Sequence, residues 1–431
     1  MRQHRVIGFV LILVFLAVPS FAIGGFGVTS IPVLYPDGTS FQQLANVANV
    51  KLLVGDFNAD KRTDMVLIGG SSWGSVPVAL SGGDGTFNLT NLPNQPFASY
   101  AATSGARPLV GDFNGDGMAD IALIGPPQWG FVPVASSNGD GTFTVTTVSS
   151  PLTAWSNNNY SPQALIGDFD GDGKDDIALL GPATWAWIPV AYSDGGGNFS
   201  FFTAPTPQPN NFANWASQLN AQPLIGDFNH DGKKDLALLG PQNWGSLPVA
   251  FGTSTRGTFN ITNTAIGPSV TDNFAIWASL SNVKILVGDF NNDLKTDVAL
   301  TGHSGWGSLP VAFSKGDGSF NVTNQGIQDF ADYAAYPNAS IFAGDFNGDG
   351  NADVAVTGPS GWGSVPVAFS HGDGNFVVTN QAILSFGGWA AAGTPIVGDF
   401  NFDGKTDITL KGSSAWTNIP VAFSLTPKAT P

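Results

Sequence analysis

Seven times along this 431-residue chain, Asp, Asn and Gly recur in one frame, as in Gly344-Asp345-Phe346-Asn347-Gly348-Asp349-Gly350-Asn351-Ala352-Asp353. Carboxylate or amide oxygens stand at positions 1, 3, 5 and 9 of each loop, with Gly usually at position 6. Hard oxygen donors on alternate residues, with neither His nor Cys among them, suit Ca2+ and disfavour zinc or copper. In the sixth loop the side-chain ligands are Asp345, Asn347, Asp349 and Asp353, with the backbone carbonyl of Asn351 beside them.

The same frame gives Asp56, Asn58, Asp60 and Asp64 in the first loop, Asp112, Asn114, Asp116 and Asp120 in the second, and Asp168, Asp170, Asp172 and Asp176 in the third. The fourth offers Asp227, Asn229, Asp231 and Asp235, the fifth Asp289, Asn291, Asp293 and Asp297, and the seventh Asp399, Asn401, Asp403 and Asp407. Up to seven structural Ca2+ ions are therefore expected. Lys61 and Leu294 replace the position-6 Gly of the first and fifth loops. A non-Gly residue at positive φ costs roughly 1 kcal/mol, so the loops at Asp56 and Asp289 are expected to be weaker. Each loop saturates its ion with protein oxygens, whereas a catalytic metal keeps an open position. The expected role is a staple.

These loops explain the charge. The chain carries −16, and its 32 acidic residues are all Asp, 22 of them at ligand positions. Basic residues are few and scattered, which excludes a nucleic-acid partner. Arg2 and Arg5, the apolar run Val6–Val18 and Ser20-Phe21-Ala22 read as a secretory signal peptide over 1–22, too short an apolar run for a spanning helix. No later segment is expected to span a membrane, so the protein is expected to be secreted and extracellular. There is no Cys to form disulfides; calcium takes over that stapling role in this reading.

The elements that position the loops repeat with them. An apolar strand runs into each loop (Lys51–Val54) and another leaves it (Ile121–Ile124). Then come Trp-Gly-Ser-Val-Pro-Val-Ala-Phe-Ser, as at Trp362–Ser370, and a tight turn into an alternating strand, as at Asp317–Thr323. Linkers of roughly ten to fifteen residues follow, and no helical periodicity is found outside the leader. This predicts an all-β seven-bladed β-propeller with four-stranded blades. An open solenoid would need polar caps at both ends.

The ends instead look complementary. The last unit stops after Trp416–Ser424, and the N-terminus offers Ser30–Tyr35 followed by Asp37-Gly38-Thr39-Ser40-Phe41. Residues near 30–44 are expected to complete the last blade and close the ring, with the third strand represented twice, at Ile31-Pro32-Val33 and Ile419-Pro420-Val421. The domain plan is a leader over 1–22, one propeller over 23–424 and a tail over 425–431. Pro77 and its equivalents fall in a predicted strand, which requires a bulge or a free ladder position. Six Asn-x-Ser/Thr sites (Asn88, Asn159, Asn198, Asn260, Asn321, Asn338) are either glycan acceptors or by-products of strand alternation.

Gly-Asp-Phe-Asn-Gly-Asp-Gly-x-x-Asp followed by an apolar strand resembles the FG-GAP or VCBS repeat of integrin-α-like propellers, over essentially all of 30–424. The resemblance implies the fold and calcium. The fold itself hosts adhesion receptors, lectins and enzyme-associated domains.

If the metal loop joins strands one and two, the two–three loops and the linkers share the opposite face. Each two–three loop carries a Trp: Trp73, Trp129, Trp185, Trp244, Trp306, Trp362, Trp416. The linkers pair Phe97 with Tyr100, Leu152 with Trp155, Phe212 with Trp215, Phe274 with Trp277, Phe330 with Tyr333 and Phe386 with Trp389; the closing linker between Phe41 and Asp56 has none. Large rings serve either as wedges between blades or as platforms for sugar rings, and Tyr100, Trp155, Trp215, Trp277, Tyr333 and Trp389 are the ligand-binding candidates. The repeat plan is similar to that of the Psathyrella velutina-type lectins, seven-bladed propellers that bind N-acetylglucosamine-type sugars between blades. Those follow the linker Trp with Arg and a downstream His; Trp215-Ala216-Ser217-Gln218 and Trp389-Ala390-Ala391-Ala392 have neither.

A hydrolase needs a placed acid and base. There is no Glu, His230, His303 and His371 each occur once at their repeat position, and Asp329/Asp332 reads as a capping or turn pair. The expectation is a non-enzymatic, secreted binder of glycans or glycoproteins. A protein-adhesion propeller and a calcium-dependent polysaccharide lyase are the alternatives.

Overall fold

The computed structural model describes residues 25–425, apart from 94, 127, 157–161, 183, 207–210, 242–243, 268–272 and 360. The leader expected over 1–22 and nearly all of the tail lie outside the described residues, as does Asn159. Among the described residues no helix is long and apolar enough to cross a membrane.

Seven four-stranded antiparallel sheets make the ring, as the repeat predicts. Blade 1 is Lys51–Gly55, Asp64–Ile68, Val78–Ser81 and Phe87–Thr90, and blades 2 to 6 begin at Arg107, Gln163, Gln222, Lys284 and Ser340. After its leading Asp, the second strand of each blade is largely apolar because it is covered on both faces; Asp64–Ile68 and Asp120–Ile124 are buried throughout. Fourth strands alternate because one face meets solvent. The ladder between second and third strands covers two residue pairs, Met65↔Ala79 and Val66↔Val78, and stops at Pro77. Pro77 still accepts from Leu67 N at 2.9 Å, so its missing N–H falls where the ladder ends.

The Gly-Asp-Phe core of each repeat is a blade-to-blade joint. The position-1 carbonyl accepts from the position-8 N–H of the next loop all the way round, from Ala119 N on Asp56 O (2.6 Å) to Thr63 N on Asp399 O (2.7 Å). The Phe beside it is buried and meets, edge to face, the Phe opening the next blade's fourth strand: Phe57 with Phe143, Phe113 with Phe199, Phe290 with Phe376. The Gly is required by closeness. A Cβ on Gly344 would stand 2.4 Å from Thr406 Oγ1 and 2.7 Å from its Cγ2. Gly344→Ala is expected to destabilise by about 1–3 kcal/mol, with partial recovery in Gly344→Ala/Thr406→Gly, read by calorimetry.

The Thr of three sequons has a similar structural cause. Thr90, Thr262 and Thr323 lie against the turn glycines Gly141, Gly318 and Gly374 of the following blade.

Closure by the N-terminus holds, but through other residues than expected. The outermost strand of blade 7 is Gly25–Pro32, paired along Asn418–Leu425, so the two third-strand-like pieces face each other as Ile31↔Ile419. Phe26 takes the fourth-strand ring position, edge to face with Phe346 at 6.2 Å. Asp37–Phe41 mimics a hairpin turn by composition but leads into a helix, α1 (Phe41–Ala45), where Ser40 and Gln43 close a capping box. Phe41 is thus the linker Phe of the closing crevice, and Leu44 stands where the other linkers carry Tyr or Trp.

The linkers are also not free of helix. They hold α2 (Gln95–Ala101), α3 (Leu152–Ser156), α4 (Phe212–Ala216), α5 (Phe274–Ala278), α6 (Gln328–Ala334) and α7 (Leu384–Ala390). Helices of five to seven residues are too short for a 3.6-residue period to show. What they do show is the Phe-x-x-aromatic pair, which an i,i+3 spacing puts on one side.

Candidate functional site

The seven candidate metal loops share one plan, shown by the first. Asp56 Oδ1 accepts from Asn58 N and Asp60 N, both at 3.2 Å, and its Oδ2 from Lys61 N at 2.7 Å. Asn58 Oδ1 accepts from Asp60 N at 3.1 Å, and its amide nitrogen donates to Asp60 Oδ2 at 2.9 Å. The turn needs two left-handed residues, at positions 4 and 6. Position 6 was legible as Gly, with Lys61 and Leu294 adopting φ 65 in its place. Position 4 was not, because Ala59, His230, Asn292 and Phe402 adopt φ of 55 to 59 there alongside Gly115, Gly171 and Gly348.

The ninth-position Asp does more than the frame suggested. Asp64, Asp120, Asp176, Asp235, Asp297, Asp353 and Asp407 are fully buried. One oxygen of Asp353 accepts from Phe346 N (2.9 Å) and the other from Ser370 N (2.8 Å), so a single carboxylate ties the loop to the third strand. The other six make the same pair of bonds. Burial pushes Asp176 and Asp353 up to about 8 and the other five to about 7, although the backbone donors pull down. A hard cation beside them is the kind of partner that holds such groups ionised at neutral pH. The all-oxygen donor set fits calcium, and in the third loop one oxygen each of Asp168, Asp170 and Asp176 lie within 4.8 Å of one another.

On the opposite face, the structure brings three of the six linker aromatics edge to face against the Trp of the next blade. Tyr100 meets Trp129 at 5.9 Å, Trp155 meets Trp185 at 5.0 Å and Tyr333 meets Trp362 at 4.9 Å. Trp389 and Trp416 line one crevice of about 240 Å³ with Ser30, Thr417 and Asn418. All six candidates are half-buried, and so are the two–three-loop Trp residues except Trp185, which is buried. Four of these Trp (Trp73, Trp185, Trp362, Trp416) fold back over a glycine of their own loop, where a Cβ would lie under 3 Å from the ring. That is a packing role.

The crevices are not equivalent. Phe131 and Trp187 start third strands where other blades have Ser246, Ser308, Ser364 and Asn418. Phe131 stacks on Trp129 and touches Tyr100; Trp187 touches Trp155 and stays 37% exposed. Comparing the Trp-x-Ser frame across repeats would have found both. Asp332 accepts from Gln328 and shares a crevice with Asp329, Tyr333 and Asn380, whose amide donates to Tyr333 OH at 2.8 Å; neither Asp caps α6. His303 Nδ1 lies 2.8 Å from Ser281 O and its ring packs on Trp306, and His230 is a loop residue. The three His stand in different blades.

A profile of the FG-GAP-like repeat matches residues 56–123, 112–179, 168–238, 289–356 and 345–410, well over half of the chain. No curated protein matches it by sequence. Among solved structures, an Agrocybe aegerita lectin with specific recognition of non-reducing terminal N-acetylglucosamine is 19% identical, with 88% of this chain and 86% of that one covered and a TM-score of 0.63. At that identity the likeness concerns the fold. The V. cholerae biofilm matrix protein Bap1 (14% identical, 94% and 92% covered, TM-score 0.36) and a fungal alcohol oxidase of the AA5 family (12%, 94% and 76%, TM-score 0.42) are more distant.

Proposed function

The chain belongs to the FG-GAP-like repeat family, and from that premise we propose a secreted, calcium-stapled propeller that binds glycans in the crevices between its blades. The observation that carries the reading is the crevice of Trp389 and Trp416, an aromatic platform with hydroxyl and amide groups of Ser30, Thr417 and Asn418 beside it. Sugars present an apolar face and a ring of hydroxyls, and such a lining serves both. The lectin with the shared fold recognises terminal N-acetylglucosamine, which makes N-acetylated oligosaccharides the first probes.

Phe131 and Trp187 take up the hydroxyl-binding position in two crevices, so the proposed sites are those of Trp215, Trp277, Tyr333 and Trp389. Several weak sites on one rim gain from multivalency. In this proposal residues 1–22 are a secretory leader and the propeller works outside the cell, where calcium is abundant, and no catalytic role is assigned to Asp329, Asp332 or the His residues.

A glycan array with and without chelator tests this, followed by titration of the best ligand. Trp389→Ala is expected to weaken binding at its own crevice by about 2 kcal/mol, roughly thirtyfold, and Trp215→Ala/Trp277→Ala/Trp389→Ala to abolish retention on a multivalent surface. Absence of any glycan bound at millimolar concentration sinks the proposal. Retention of a protein ligand instead would favour the adhesion reading, and unsaturated products from acidic polysaccharide the lyase.

A further inference from the structure

The third loop differs from its six relatives in one ligand, the fourth blade carries Arg where most turns between third and fourth strands carry Asp, and the structure brings the two differences together. Position 3 is Asn58, Asn114, Asn229, Asn291, Asn347 and Asn401 elsewhere, but Asp170 in the third loop. In five of those six, the Asn amide donates to the outer oxygen of the position-5 Asp, at 2.9–3.2 Å. Asp170 has no such donor, so its outer oxygen would face that of Asp172 charge to charge.

The turn between third and fourth strands usually carries Asp before Gly, as at Asp84, Asp140, Asp317 and Asp373, where it accepts from the residue two further on. Blade 4 has Arg256 instead. This side chain crosses the blade boundary. Its Nε donates to Asp170 Oδ2 at 2.6 Å and a terminal nitrogen to Asp172 Oδ2 at 3.0 Å, while the other bonds Asp194 of the blade 3 turn. The guanidinium lies 5.4 Å from the centre of the Tyr192 ring. Meanwhile Asp170 Oδ1 accepts from Asp172 N at 3.2 Å, as the Asn oxygen does elsewhere. Arg256 therefore bridges the two atoms that bond directly in the other loops, and leaves the inner oxygens in their usual places.

We infer that Arg256 is a built-in counter-ion of the third loop, which lowers the dependence of this loop on a bound cation. Lys174 also reaches Asp172, at 2.8 Å, but the corresponding lysines act within their own loops; Arg256 alone among the described residues pairs with a metal loop from the next blade. A charge that stabilises the metal-free loop more than the metal-loaded one must lower the affinity for metal by the same factor. The inference rests on the proposed calcium reading for that last consequence only.

The test is a thermal-unfolding comparison of wild type, R256Q, D170N and the double variant, each in chelator and in saturating calcium chloride. The Tm loss caused by R256Q is expected to be at least about twice as large in chelator as in calcium. In the D170N background, where the introduced side-chain amide can bond Asp172 itself, the loss from R256Q in chelator should shrink by about half or more. Where calcium raises the wild-type Tm, an equal or larger loss in calcium overturns the inference; strict additivity of D170N and R256Q in chelator overturns it in either case. Should R256Q fail to fold, R256K, which keeps the charge and loses the bridge, takes its place in the same cycle. A wild-type Tm indifferent to calcium would instead remove the calcium reading, while the chelator cycle still decides the counter-ion role.

Discussion

Removing calcium near neutral pH is expected to lower the Tm of this protein by on the order of 10 °C or more. A site in the 10⁻⁴–10⁻³ M range of extracellular calcium modules contributes about 1–3 kcal/mol at about 10 mM free ion, so seven sites contribute on the order of 10–20 kcal/mol. For a chain of this size, each degree of Tm corresponds to roughly 0.8 kcal/mol. The effect should depend on pH in a definite direction. In the metal-free protein the ninth-position carboxyls titrate at about 7 to 8 because burial penalises their charge, against an unfolded value of roughly 4. The folded state then binds more protons than the unfolded one between those limits, so stability is fully present below pH ~4 and is lost as pH rises through 7 to 8. Metal-free protein should therefore melt higher near pH 5 than near pH 8. Calcium, which requires ionised ligands, should add most near pH 8 and least near pH 5. Scanning calorimetry across that range checks both, and a calcium increment independent of pH would contradict the ligand assignment.

Asp353→Ala is expected to cost about 3–6 kcal/mol, and unlike other ligand substitutions the loss should persist in chelator. The reason is that Asp353, a ligand in the calcium proposal, is also a clamp. Its removal strands the buried N–H groups of Phe346 and Ser370, at about 1–3 kcal/mol each, and empties a carboxylate-sized space. Asp349, at position 5 of the same loop, is exposed. Asp349→Ala should cost stability in calcium and little once the ion is gone. Paired melts of the two variants with and without chelator separate clamp from ligand. If both losses vanish in chelator, Asp353 acts through the ion alone.

How much of this could be read without the structure follows from the range of each interaction. A metal loop is closed by residues within one stretch, so Asp345, Asn347, Asp349 and Asp353 announce themselves by spacing. Seven copies flanked by apolar runs then determine strand, blade and ring, because every blade but the last is built from consecutive chain. The Trp and Phe-x-x-aromatic frames were legible for the same reason, although the short linker helices were not, one and a half turns being too few to show a period.

Contacts that cross from one blade to the next have no spacing of their own. The Gly of Gly-Asp-Phe answers to a side chain one blade away, whereas the second partner of Asp353, Ser370, stands on the next strand of the same blade. The N-terminus shows the limit most plainly. Gly25-Phe26 and Asp37–Phe41 both resemble the start of a fourth strand, and local composition favoured the wrong one. Only the folded ring decides, for in it Phe26 reaches Phe346 while Ser40 caps a helix. The same holds for Asp170 and Arg256. The sequence by itself determined the loops, the blade count and the donor chemistry, since those are local and repeated; the tertiary structure decided closure, the clamp, the inequality of the crevices and the cross-blade ion pair, since each depends on which residues of separate strands or separate blades come within contact distance.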